Sequence, residues 1–239
     1  MNPCKSKQEY LDQIIKPAQR VCKRYGYLPS VLIAQACLEN GYGMAKDCYP
    51  LIQVNNMVGQ KSELLNKSWT DIGLSVWPGK SITKNTPEQY GNQIVRINDN
   101  FRVFDSIEQS LADFLLFLTY ASNSGAGGAP KYGGEVLSIK DPEALIRSVG
   151  GRGYATGQTY PTSVMRIVRE HNLTQYDDIT TVAPTDQVDI YVCPECRKLE
   201  FFLAEAIEEG LLQKQCPKCG NTHDFDYPKC PFCKYDYYK

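Results

Sequence analysis

Three pairs of cysteines constrain this chain more than any other feature of it. Cys193 with Cys196, Cys216 with Cys219 and Cys230 with Cys233 form three C-P-x-C knuckles in the last fifth of 239 residues. The segment that holds them is too short to build a sufficient apolar core by itself. Two thiolates separated by two residues grip one edge of a tetrahedral Zn²⁺, and two such pairs complete a Cys₄ site. The spacing therefore predicts a small zinc ribbon over residues 190–239, with the metal structural, because all-thiolate sites are usually closed. Cys216, Cys219, Cys230 and Cys233 have short-ribbon spacing; Cys193 and Cys196 with either later pair compete, and His223 offers another ligand. Between Cys196 and Cys216, "FFLAEAIEEGLL" predicts a short helix packed on the ribbon. The other four cysteines, Cys4, Cys22, Cys37 and Cys48, lie in the first fifth, with none in between. That is the usage of a reduced protein with a metal module, not of a disulfide scaffold.

The stretch before the ribbon reads as α+β. Ser6 and Glu9 form a capping box, followed by Leu11, Ile14, Ala18 and Val21 at helical spacing. Pro17 should kink or interrupt that helix. Pro29 suits the first turn of a second helix running through Leu38, which Gly41 and Gly43 stop. From residue 50 to 104, turn residues alternate with short β-prone pieces, predicting a hairpin-like lobe in the second part. Helices return after Asp105 or Ser106, after Asp141, and over Val164 to His171, with "SNSGAGGAPKYGG" a flexible loop between. "TQYDDITTVAPTDQ" lacks apolar periodicity, so the organisation is a domain over 1–174, a linker over 175–189 and the ribbon after it.

Within the second helix, "AQACLENGYG" places Glu39 at the end of an apolar run. A carboxylate in a helix's last turn faces the negative end of the dipole, and apolar neighbours desolvate its charged form. Both effects raise its pKa, which is what a general acid for glycoside cleavage requires. A solvated surface glutamate is the bland alternative.

Four motifs, in order, carry a family resemblance. They are "YGYLPSVLIAQACLENGYG", "VNNMVGQK", "FRVFDSIEQSLADFLLFL" and "GYATGQTYPTSVMRIVREHNL". Together they resemble the glucosaminidase domains of glycoside hydrolase family 73, over residues 6–173. Asn40, Tyr42, Val58 and Gly157 depart from the family's usual Ser, Trp, Phe and Asp. The resemblance implies a mainly helical, lysozyme-like fold with a β-lobe over a cleft, and hydrolysis of peptidoglycan glycan strands after N-acetylglucosamine. It makes Glu39 the general acid and assigns the second, β-lobe carboxylate to Glu88 in Thr86–Pro87–Glu88, with Glu63 and Asp71 as alternatives. Tyr154 matches a cleft tyrosine that orients the acetamido group or water, and core packing is its plainer role. Asn56 shapes the cleft floor, or serves as a turn residue, and Tyr42 and Tyr160 are candidates to stack on sugar rings. Inverting, retaining and substrate-assisted routes all remain open.

Composition limits the other readings. A formal net charge of −1 offers no general attraction to nucleic acid or anionic membrane, and no apolar run approaches a membrane span. "MNPCKSKQEYLDQIIK" has no apolar core, so no signal peptide is expected, and the resemblance then suggests a phage or prophage lysin. No catalytic cofactor is expected, and nothing bears on oligomeric state. A Cys-His peptidase built on Cys37, a catalytically dead wall-binding protein and a zinc-ribbon nucleic-acid adaptor are the rivals.

Overall fold

The structure is a computed structural model that describes residues 4–90, 93–155 and 159–180, with 188–192, 199–203, 213–215, 218–220, 222–224 and 233–234 beyond them. The chain divides into two compact units, Met1–Val182 and Ala183–Lys239.

In the first unit, α1 (Lys7–Tyr25), α2 (Pro29–Asn40), α5 (Ile107–Tyr120), α6 (Pro142–Gly151) and α7 (Tyr160–Glu170) surround one apolar core, and α3 (Tyr49–Gln53) and α4 (Ser68–Asp71) are short. Ser6 caps α1 by accepting from the Glu9 N–H, while the Glu9 carboxylate accepts from the Lys5 N–H instead of closing the box on Ser6. Pro17 does not interrupt α1. It lies inside a continuous helix with its ring buried, so apolar packing offsets the lost hydrogen bond.

The central element is α2. Every residue from Pro29 to Cys37 is buried, as a helix that is apolar all round requires, with α1, α6 and α7 packed about it. Its own N-cap residue, Leu28, supplies no side-chain bond. Asp177 does so from the far end of the unit: its carboxylate accepts from the Ser30 N–H and hydroxyl, both at 2.7 Å. Burial pushes the Asp177 carboxyl up, and the Ser30 hydrogen bonds oppose that shift. Residues 175–180, expected to be linker, therefore finish the first unit, which extends to Val182. At the other end of α2 the backbone reverses through three successive left-handed residues, Gly41, Tyr42 and Gly43. At Gly43 a Cβ would also press to 3.3 Å from the Tyr10 ring.

The expected lobe is the antiparallel hairpin β1 (Ser81–Tyr90) and β2 (Gln93–Arg102). Pairing runs from Ser81↔Arg102 to Tyr90↔Gln93, with Lys61 bridged to Phe101 beside it. Alternation puts Ile82, Lys84, Thr86 and Glu88 on one face of β1, opposite Phe101, Asp99, Ile97 and Val95 of β2. At the base of the hairpin, Arg102 and Asp113 form a fully buried ion pair of 2.9 Å. Arg102 also donates to the Lys61 carbonyl and the Thr70 hydroxyl, and its guanidinium lies between Trp69 and Trp77. Asp113 accepts from the Gln60 amide as well. The cluster fastens β2 to α5 and to the turn at residues 60–62.

In the second unit, β3 (Val188–Val192) pairs with β4 (Leu199–Leu203), and β5 (Gln213–Gln215) with β6 (Thr222–Asp224), both antiparallel. The expected helix over "FFLAEAIEEGLL" is thus corrected at its start, where Phe201, Phe202 and Leu203 are strand. Aromatic and β-branched residues on both partners favour the sheet. Of the residues between β5 and β6, 218–220 are described, with Gly220 left-handed at φ 72°. Cys193, Cys196, Cys216 and Cys230 lie outside the described residues, as does most of the helix expectation.

Candidate active site

Helix α2 ends at a cleft of about 570 Å³. Its walls come from Leu38 and Glu39 of α2, the turn Val58–Lys61, Phe114 and Phe117 of α5, Tyr132, Tyr154, and Tyr160 and Ser163 of α7. Glu39 is open to solvent at the mouth, yet these walls surround it on most sides and displace bulk water. Desolvation raises its pKa to about 7, opposed by a 3.4 Å hydrogen bond donated by the Tyr154 hydroxyl. Near neutral pH Glu39 therefore holds its proton and can still give it up, as a general acid must.

Tyr154 follows α6 and sits among Phe114, Phe117, Tyr132 and Tyr160, with ring centroids between 5.4 and 6.5 Å from its own. Burial first, then the Glu39 charge, pushes its hydroxyl well above the ordinary tyrosine value, so it remains a donor. Packing and aiming are therefore one role: the rings fix where the hydroxyl points. Tyr160 lines the cleft too, and its oxygen accepts from Gln35 at 3.1 Å while Gln35 accepts from Tyr27 at 2.9 Å. That chain satisfies a glutamine wholly buried in α2.

Glu88 does not line the cleft itself. It reaches the cleft wall through Lys61, whose ammonium lies 2.6 Å from the Glu88 carboxylate and 2.9 Å from that of Asp99. The alternatives are placed elsewhere: Glu63 is exposed and pairs with Lys67, and Asp71 is exposed.

Two expected sugar-binding residues face other partners. Tyr42 is absent from the cleft wall; its ring packs edge-on to Tyr10 and His171, and its hydroxyl hydrogen-bonds His171 Nε2 at 3.0 Å. The chain reversal after Asn40 turns it away from the cleft. Asn56 is fully buried, donating to the Gln60 and Arg102 carbonyls and accepting from the Gln60 N–H. With both amide atoms engaged it supports the floor from beneath and has no donor left for sugar. Cys37 is also buried, and desolvation pushes its thiol far up, which removes the thiolate a peptidase would need.

Sequence reasoning missed Lys61, Tyr132 and the Arg102–Asp113 pair. Lys61 stands in the quoted "VNNMVGQK" motif, the one signal that pointed near it. Tyr132 is a lone aromatic in a glycine-rich loop, and nothing in its neighbours reveals that it is buried.

Residues 15–173 match the family described as glucosaminidase, mannosyl-glycoprotein endo-beta-N-acetylglucosaminidase. The chain is 28% identical over 162 residues to the peptidoglycan hydrolase FlgJ of Vibrio parahaemolyticus, covering 68% of this chain and 46% of that protein. It is 25% identical over 173 residues to the exo-glucosaminidase LytG of Bacillus subtilis, covering 72% and 54%. It thus spans about half the length of these curated relatives. The solved catalytic domain of the autolysin Auto from Listeria monocytogenes superposes with a TM-score of 0.54 at 28% identity, over 74% of this chain and 90% of that one. Helices with a small sheet in this arrangement form the lysozyme-like glycoside hydrolase fold.

Proposed function

The chain belongs to the glucosaminidase family, and from that premise we propose that it hydrolyses the glycosidic bond after N-acetylglucosamine in peptidoglycan glycan strands. The observation that carries this reading is Glu39, held near its pKa of about 7 inside an aromatic-walled cleft and hydrogen-bonded to Tyr154. Glu39 protonates the leaving glycosidic oxygen. Tyr154 steadies the carboxylate this leaves behind, and orients either water or the substrate's acetamido group. Glu88, brought down on the hairpin, is the second carboxylate, activating water or stabilising the oxocarbenium-like transition state. The apolar rings of Phe117, Tyr132 and Tyr160 supply sugar-stacking area.

Digestion of purified peptidoglycan, followed by reduction and mass spectrometry, tests the bond. Reduced N-acetylglucosamine ends support the proposal; reduced muramic acid ends would make the chain a muramidase, and new peptide termini a peptidase. A muramidase is the second reading, because relatives from Lactococcus lactis carry the name probable N-acetylmuramidase.

For the second unit we propose a structural Zn²⁺ held by four thiolates drawn from Cys193, Cys196, Cys216, Cys219, Cys230 and Cys233. The pairing of β5 with β6 supports this, since it brings the strands flanking Cys216 and Cys219 together, and the C-P-x-C spacing is that of a metal knuckle. The metal would staple the fold and supply no catalysis. We read this unit as a wall-targeting or interaction module.

A further inference from the structure

The ammonium of Lys61 connects three parts of the first unit: the cleft wall, to which Lys61 belongs, and both strands of the hairpin. Its main chain is immobilised. The Lys61 carbonyl accepts from buried Arg102, the neighbouring Gln60 is tied to Asp113, and Lys61 bridges to Phe101 of β2. The hairpin beyond that point has far fewer anchors, with Ile94 at 74% and Val95 at 42% exposed near its tip.

Register shows how much work the lysine does. Phe101 pairs with Ile82, so Glu88 lies six residues further along β1, about 20 Å in a straight strand. A lysine and a glutamate side chain together bridge roughly half that distance, and so the hairpin has to curl back towards the cleft wall for the 2.6 Å pair to exist. Glu88, Asp99 and Lys61 are each less than one-third exposed, so the triad is partly shielded from water and salt. Burial draws the Lys61 ammonium down, but its hydrogen bonds to Glu88 and Asp99 outweigh that and hold it above the usual lysine value.

We propose that Lys61 is the fixed post on which the hairpin closes to deliver Glu88, and that Asp99 is a second positioning residue that keeps the lysine neutralised when Glu88 turns to substrate. This rests on Glu88 being the second carboxylate. The need for Asp99 follows from the shielding of the triad: Lys61 is only 28% exposed. When Glu88 leaves to engage the sugar or a water, the ammonium would otherwise stand without a carboxylate partner in a partly desolvated place and would pull Glu88 back. Asp99 on β2 holds the charge meanwhile.

The test is steady-state hydrolysis of a soluble glycan oligomer by the full-length chain carrying K61M, K61R, D99N or E88Q, with melting temperatures alongside. K61M should lower kcat about tenfold or more, with a smaller change in KM and a melting temperature near wild type, and K61R should restore most of it. D99N should lower kcat about threefold or more with KM and melting temperature near wild type, because the lysine then holds Glu88 back. D99N added to K61M should cost no further kcat, because its effect runs through the lysine. Wild-type kcat in K61M together with an inactive E88Q overturns the proposal and leaves Glu88 in its role. A fully active E88Q overturns both. Wild-type kcat in D99N, or a further loss when D99N is added to K61M, overturns the part assigned to Asp99.

Discussion

At the residue scale, the proposed chemistry concentrates in one carboxyl group. Glu39→Gln keeps the shape of the side chain and removes the proton, so muropeptide release should fall by about two orders of magnitude or more. The pH dependence has a definite sign. In the proposed reaction Glu39 must be protonated to act, so activity should decline as pH rises through about 7. The Tyr154 hydrogen bond favours the charged form and pulls the pKa down against desolvation. Tyr154→Phe should therefore move the alkaline decline to higher pH while lowering the maximal rate, measurable as a full kcat profile. The place of Glu39 at the end of an apolar helix was legible in the sequence, but a surface glutamate stayed the bland reading until four motifs were read together. The walls that desolvate it come from elements far apart in the chain. Tyr42 misled because an aromatic beside the acid suggests a sugar platform, and only the three left-handed residues after Asn40 turn it towards His171.

At the scale of elements, helices were readable and their fastenings were not. Ser106 and Asp141 cap α5 and α6 as local patterns indicate, each accepting from an N–H three residues on. The cap of α2 comes from Asp177, 147 residues after Ser30, and no local pattern encodes a bond of that span. Replacing Asp177 with Ala should cost about 1–2 kcal/mol, seen as a melting temperature lower by a few degrees. The hairpin was legible from turn chemistry and β-prone residues, but its root was not. Arg102 and Asp113 sit on different elements, and a charge in a strand usually signals an exposed face. Arg102→Met leaves Asp113 buried without its cation, and urea unfolding should show a loss of about 3–5 kcal/mol.

At the scale of the whole molecule, the two units depend on different forces. The first has a large apolar core, whereas the second is short and rich in thiols, and its proposed metal does the work of a core. Extensive chelation followed by dialysis should leave glycan hydrolysis by the full chain largely intact while abolishing its retention on purified cell walls. Metal analysis before chelation should find about one zinc per chain. The ribbon is proposed from sequence alone, because C-x-x-C spacing is set by metal geometry and needs no tertiary context. The boundary was not foreseeable, because polar residues around 175–180 resemble linker unless one sees the helix terminus they serve.

That cap has a practical consequence for anyone trimming the gene. The family match ends at residue 173, four residues short of Asp177. A fragment stopped there would keep every cleft residue yet leave the acid-bearing helix open at its first turn. Domain borrowing from this chain should run to residue 182, and a swap made at the homology border would export the active site without its brace.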